Sequence, residues 1–125
     1  MSRHHIKCKR NKFITIGSGR VMENSWEKNG IRYTQSCNLP IQGVCADIMM
    51  RAVAGVYLRL HAAKLDAVLV AQIHDEIILE ADTGIAEEAK DILVSEMENA
   101  FTMTFPDAPS GNLVDASDGQ TWADL

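Results

Sequence analysis

Ala67-Val68-Leu69-Val70-Ala71-Gln72-Ile73, then His74-Asp75, then Glu76-Ile77-Ile78-Leu79-Glu80-Ala81, is the stretch that decides the fold class. Two apolar, β-prone runs flank a two-residue polar tip, the pattern of a tight antiparallel hairpin. Downstream, Asp82-Thr83-Gly84 ends the second run and caps a helix over about Ile85 to Phe101. Glu87 and Glu88 fall in its first turn, where the helix dipole favours acids, and Ala89, Ile92, Leu93, Met97 and Ala100 share one apolar face. Upstream, Ile41, Val44, Cys45, Ile48, Met49, Ala52, Val56 and Leu60 recur at spacings of three and four. They predict a long amphipathic helix from Pro40 to Ala63, with Pro40 in its first turn and Asn38 as its cap. Gly55 in its middle implies close packing against another element, since glycine there costs about 1 kcal/mol against alanine.

Further out, Phe13 to Ile16 alternates Phe-Ile-Thr-Ile, Gly17-Ser18-Gly19 breaks the pattern and Arg20-Val21-Met22 can resume it, which fits a short hairpin. Glu23 to Gly30 is loop-like around Trp26, and the Pro- and Gly-bearing tail allows one short strand near Leu113-Val114-Asp115. The order hairpin, long helix, hairpin, helix, short strand predicts an α+β fold, antiparallel β-hairpins packed with a long helix and a second helix.

The 125 residues suit one ordinary domain, and 46% hydrophobic with 23% charged residues excludes wholesale disorder. The net charge of −5 hides a division. Residues 1–64 hold eleven Lys and Arg against three acids, a charge of +8, while residues 65–125 hold one Lys against fourteen acids, a charge of −13. A basic half suits a polyanion; an acidic half suits a cation or a solvated face. Arg3, Lys7, Lys9, Arg10 and Lys12 make residues 1–14 basic, read either as a frayed terminus or as a basic N-terminal arm on nucleic-acid backbone. Cys8, Cys37 and Cys45 lack CxxC spacing, which argues against a disulfide framework or a closed zinc site. No uninterrupted apolar run approaches the ~18–20 residues needed to cross a bilayer, and no apolar core of a signal peptide follows the N-terminus. The expectation is a cytoplasmic protein with no membrane partner.

Two constellations carry chemistry. His74-Asp75-Glu76 sits where the backbone turns, so both carboxylates can lean toward one site, and adjacent carboxylate oxygens suit a hard cation such as Mg²⁺. A solvated polar turn is the plainer reading of that tripeptide alone. Asn38 and Gln42 at the start of the long helix offer both donor and acceptor groups without charge, with capping and water contact as the plainer reading. A His-Asp phosphohydrolase would need more ligands than His61, His4 and His5 supply.

Together, Asn38-Leu39-Pro40-Ile41-Gln42-Gly43-Val44-Cys45-Ala46-Asp47-Ile48 and Gln72-Ile73-His74-Asp75-Glu76-Ile77 resemble the C-terminal palm region of family A DNA polymerases, with the second stretch as motif C. The likeness runs from about Thr15 to Gly119 and Trp122, so residues 15–125 are expected to form a palm-like segment of an incomplete fold. The resemblance implies two-metal nucleotidyl transfer, with Mg²⁺ as cofactor and primer-template DNA and deoxynucleoside triphosphates as partners. It implies that Asp75 holds catalytic metal, that Glu76 is an acidic neighbour, and that His74 steadies the primer 3′ end. It implies that Asn38 and Gln42 touch the minor groove, whose acceptors differ little between base pairs. Arg32 and Arg20 are further DNA-binding candidates.

The sequence departs from the family pattern in lacking motif A, which supplies the other metal-binding aspartate, and in lacking the fingers and the 3′–5′ exonuclease. Thr34 and Gln35 stand where an Arg is frequent, and Met50 replaces a basic residue. The expectation is therefore a C-terminal polymerase fragment inactive alone, completed by a second chain bearing motif A and fingers, or a non-catalytic DNA-binding remnant.

Overall fold

The computed structural model describes residues 13–23, 26–27, 30–31, 33–109 and 111–125. They form an α+β arrangement of short antiparallel hairpins and two long helices. The chain divides into two compact units, with the boundary between Asp47 and Ile48 inside the first helix.

In the first unit, β1 (Phe13–Thr15) and β2 (Val21–Glu23) pair antiparallel as expected, with Phe13 opposite Glu23 and Thr15 opposite Val21. Gly19 closes the connection at a φ of 86°, a region that a side chain disfavours. The stretch expected as a loop around Trp26 instead contains β3 (Trp26–Glu27) and β4 (Gly30–Ile31), paired antiparallel. A two-residue ladder is too short to show alternation, so the sequence pattern could not reveal it.

Helix α1 (Tyr33–Ala63) runs for 31 residues and begins seven residues before Pro40. Asn38 therefore lies inside the helix and is not its cap. A proline is free of cost only in the first turn, where its missing N–H would be unpaired anyway. Here it costs the helix one ladder bond and crowds Leu39, and the helical backbone continues through both. Of the expected apolar face, Val44, Met49, Ala52, Val56 and Leu60 are buried, while Ile41 and Cys45 are exposed. Those two lie next to Asn38 and Gln42, on a side of the helix that no described residue covers.

By length and a mean hydropathy of 1.3, Ser36–Ala63 would also pass as a membrane-crossing helix. Polar residues are interspersed along it, so it contains no long unbroken apolar run. From Met49 to Leu60 it lines both core clusters of the second unit, with Asp47, Arg51 and Arg59 along its length, and 28% of the apolar window is buried.

The second unit is built on the hairpin of β5 (Ala67–Ile73) and β6 (Glu76–Ala81), whose bounds are those read from the sequence. Ala67, Leu69, Ile77, Leu79 and Ala81 face α1 and the second helix, α2 (Ala86–Thr104). Met49, Ala52, Ile77 and Ala100 form one core cluster, and Val56, Leu60, Ala89 and Ile92 form the other. The opposite face of the hairpin stays open, with Val68 61%, Val70 51% and Ile73 44% exposed. Asp82 accepts a hydrogen bond from the Gly84 N–H at 2.9 Å and caps a single 3-10 turn, Thr83–Ile85, that leads into α2.

Gly55 meets its expectation. The Glu96 carboxylate of α2 lies where a Cβ on Gly55 would be, and Arg59 holds that carboxylate at 2.9 Å while donating to Ser95 at 3.0 Å. The strand expected near Leu113 does not form, because no described strand offers it a ladder. The tail is instead tied by the Lys90–Asp118 ion pair at 2.8 Å and by Thr121 N–H and hydroxyl groups donating to Asp124 at 2.8 Å. The bond to Asp118 raises the Lys90 pKa, and the bonds from Thr121 lower that of Asp124.

The end of α1 is a Schellman turn. Leu65 N–H bonds the Leu60 carbonyl and Lys64 N–H bonds the His61 carbonyl, both at 3.2 Å, while Leu65 packs in the same cluster as Leu60. Lys64 occupies the left-handed position at φ 53°, where glycine is the favoured residue. Lys64→Gly is expected to stabilise the chain by about 1 kcal/mol, read as a higher urea midpoint at unchanged slope. An unchanged or lower midpoint would count against this reading of the turn.

Candidate functional site

The hairpin tip follows from local chemistry. Ile73 pairs with Glu76, leaving His74 and Asp75 as the whole loop. His74 takes a φ of 53°, the sign that primed hairpin turns require at their first loop position and that His tolerates better than most side chains. His74, Asp75 and Glu76 are all exposed. Asp75 sits in the loop itself, whereas Glu76 is fixed by the ladder on the face opposite Ile77, beside Ile73.

The register contains one feature that the sequence reading missed. Leu69 pairs with Leu79 and Ala71 with Ile78, so Val70 is an extra residue, a β-bulge. The bulge shifts the side-chain phase, so that Gln72, opposite Ile77, falls on the same face as Leu69, three residues away. Gln72 Nε2 then donates to the His74 carbonyl at 3.0 Å. Nothing in a continuous apolar run marks a bulge; the only sign is that seven residues of β5 face six of β6.

In the first unit, Asn38 and Gln42 lie four apart within α1, so they share one helix face, and both are exposed. Arg20 is exposed but engaged. Its Nε pairs with Asp47 at 3.0 Å and its guanidinium donates to the Gly43 carbonyl at 3.3 Å. Ser18 also donates to Asp47. Asp47, readable in sequence only as a surface hydrogen-bonding carboxylate, thus ties the β1–β2 connection to α1. Arg32 lies outside the described residues.

The structure brings together Asn38 with Gln42 on one helix face, and His74, Asp75 and Glu76 on one hairpin tip. Among the described residues no group of three or more His, Cys, Asp or Glu could by itself hold a metal ion. Asp75 and Glu76 still fit Mg²⁺ in donor type, because that ion is commonly held by one or two carboxylates with water and phosphate oxygens completing its shell.

The family model for DNA polymerase family A matches residues 4–124. The chain is 36% identical over 85 residues to DNA polymerase I of Caldicellulosiruptor bescii, which covers 68% of this chain and 9% of that protein. It is 39% identical over 87 residues to DNA polymerase I of Geobacillus stearothermophilus, covering 70% and 9%. It is 42% identical over 69 residues to the thermostable DNA polymerase I of Thermus filiformis, covering 55% and 8%. The chain thus spans about a tenth of the length of these relatives. A match over nearly every residue, through both motif-bearing stretches and the hairpin between the helices, leads to one conclusion: the chain belongs to DNA polymerase family A.

Proposed function

We propose that this chain is the palm segment of a DNA-directed DNA polymerase, a cytoplasmic nucleotidyltransferase acting on primer-template DNA and deoxynucleoside triphosphates. The observation that carries the reading is the tip His74-Asp75-Glu76, with an exposed carboxylate in a two-residue loop within a family A match. In the reaction the primer 3′-hydroxyl loses its proton to solvent and its oxygen attacks the α-phosphorus of the triphosphate; the new P–O bond forms as the bond from the α-phosphorus to the bridging oxygen breaks, and pyrophosphate leaves. Asp75 and Glu76 would hold Mg²⁺, which when bound supplies activation of the hydroxyl and neutralisation of the phosphates. His74 steadies the primer end. Asn38 and Gln42, one helical turn apart, reach minor-groove acceptors common to all base pairs, which suits an enzyme that must grip any sequence. Arg20, Arg32 and the basic residues 1–14 contribute backbone affinity, and the ion pair with Asp47 moderates that of Arg20. Motif A and the fingers come from sequence outside these 125 residues or from a second chain, a reading supported by the small share of the relatives that is covered.

The reading is tested by titrating the chain with Mn²⁺, a paramagnetic stand-in for Mg²⁺, and following amide signals by NMR. Broadening is expected to centre on residues 74–76, and Asp75→Asn should weaken it about tenfold or more, at least the loss that follows from disturbing a metal's outer shell. Broadening spread evenly over all acidic residues, or unchanged by Asp75→Asn, would remove Asp75 from the metal site.

A further inference from the structure

We propose that Gln72 is a positioning residue, whose side-chain amide sets the direction in which Asp75 leaves the hairpin. The inference rests on the reading of Asp75 as a metal ligand. Gln72 Nε2 donates to the His74 carbonyl at 3.0 Å. That carbonyl belongs to the planar peptide unit whose far end is the Asp75 Cα, so holding the oxygen holds the plane from which the Asp75 side chain departs. The plane needs holding, because His74 is at φ 53°, a conformation that an L side chain adopts reluctantly.

Two further features fit the role. The Val70 bulge brings Gln72 onto the face it occupies; without the extra residue the alternation would send this side chain to the other face of the hairpin. The backbone of Gln72 is paired with Ile77, a buried residue of the core, so the clamp is anchored at its base. The chemistry of the group also suits the place. An amide donates to the carbonyl without adding charge beside Asp75 and Glu76, whereas a lysine would pair with the carboxylates and a glutamate would repel the carbonyl.

The test uses the 125-residue chain and Gln72→Leu, which keeps bulk and removes the donor, with Gln72→Met as a second uncharged variant that keeps the length. The residual dipolar coupling of the Asp75 N–H, which lies in the same peptide plane as the His74 carbonyl, reports the orientation of that plane, and Mn²⁺ broadening at residues 74–76 reports the carboxylate site. Both variants are expected to shift the Asp75 coupling toward an averaged value and to weaken Mn²⁺ binding about tenfold, with an unchanged urea midpoint. An Asp75 coupling unchanged in both variants would overturn the clamp. A changed coupling with unchanged Mn²⁺ affinity would overturn its role in positioning Asp75. Absence of localised broadening in the unsubstituted chain would overturn the metal reading of Asp75 itself, and the positioning role with it.

Discussion

Val56→Asp is expected to abolish cooperative folding of residues 48–125. Val56 has no exposed surface and packs in the cluster of Leu60, Ala89 and Ile92, with Leu65, Leu69 and Leu79 around it. Its position joins α1 to both the hairpin and α2, so the added carboxylate would have no water and no cation partner there. Burying an unpaired charge, or protonating it to avoid doing so, costs about 4 kcal/mol or more. That is a large part of the 5–15 kcal/mol by which ordinary domains are stable. Val56→Ala removes two methyl groups and should cost only about 1–3 kcal/mol. Urea unfolding followed by far-ultraviolet circular dichroism separates the two. Val56→Ala should keep a sigmoidal transition at lower midpoint, and Val56→Asp should show none. A cooperative transition for Val56→Asp near the unsubstituted midpoint would refute the packing described.

Much of this arrangement is legible in the sequence, for reasons that differ by element. The β5–β6 hairpin is readable because two β-branched runs bracket a two-residue tip, and the core pairing of Ala67, Leu69, Leu79 and Ala81 follows from period-two alternation. The buried face of α1 from Met49 to Leu60 is readable from the 3.6 period. The start of α1 is not. Asn38 followed by Pro40 is a strong local start signal, yet helical backbone begins at Tyr33, and a local rule about the cost of one missing N–H does not fix where a helix begins. The tail shows the same limit: Leu113-Val114-Asp115 has strand character, but a strand needs a neighbour and none of the described residues provides one.

At the candidate site the residue types are legible and their arrangement is not. His74, Asp75 and Glu76 can be picked out from sequence, but the separation of Asp75 in the loop from Glu76 in the ladder depends on register. The bulge at Val70 and the Gln72 bond to the His74 carbonyl depend on it too. Arg20 illustrates a second kind of gap. Its positive charge suggests DNA, and only three-dimensional pairing reveals that Asp47, distant in sequence, already holds its guanidinium.

The largest effect on function is expected at Asp75. In a chimaera carrying this chain in place of the matching segment of a DNA polymerase I relative, Asp75→Asn keeps the size of the side chain and removes its charge. Charge stabilisation of the transferring phosphoryl group is the main term in such reactions, and loss of one well-placed group costs about 10²–10³-fold in rate. Val56 and the core are untouched by this substitution, so folding is a separable control. The hairpin tip is proposed to serve template-directed nucleotidyl transfer, and primer extension by the chimaera tests that role. With Mg²⁺ and all four nucleotides, the chimaera should extend a primer, Asp75→Asn should lower the rate at least about 10²-fold, and the isolated 125-residue chain should extend none. Extension at an undiminished rate by the folded Asp75→Asn chimaera would contradict it.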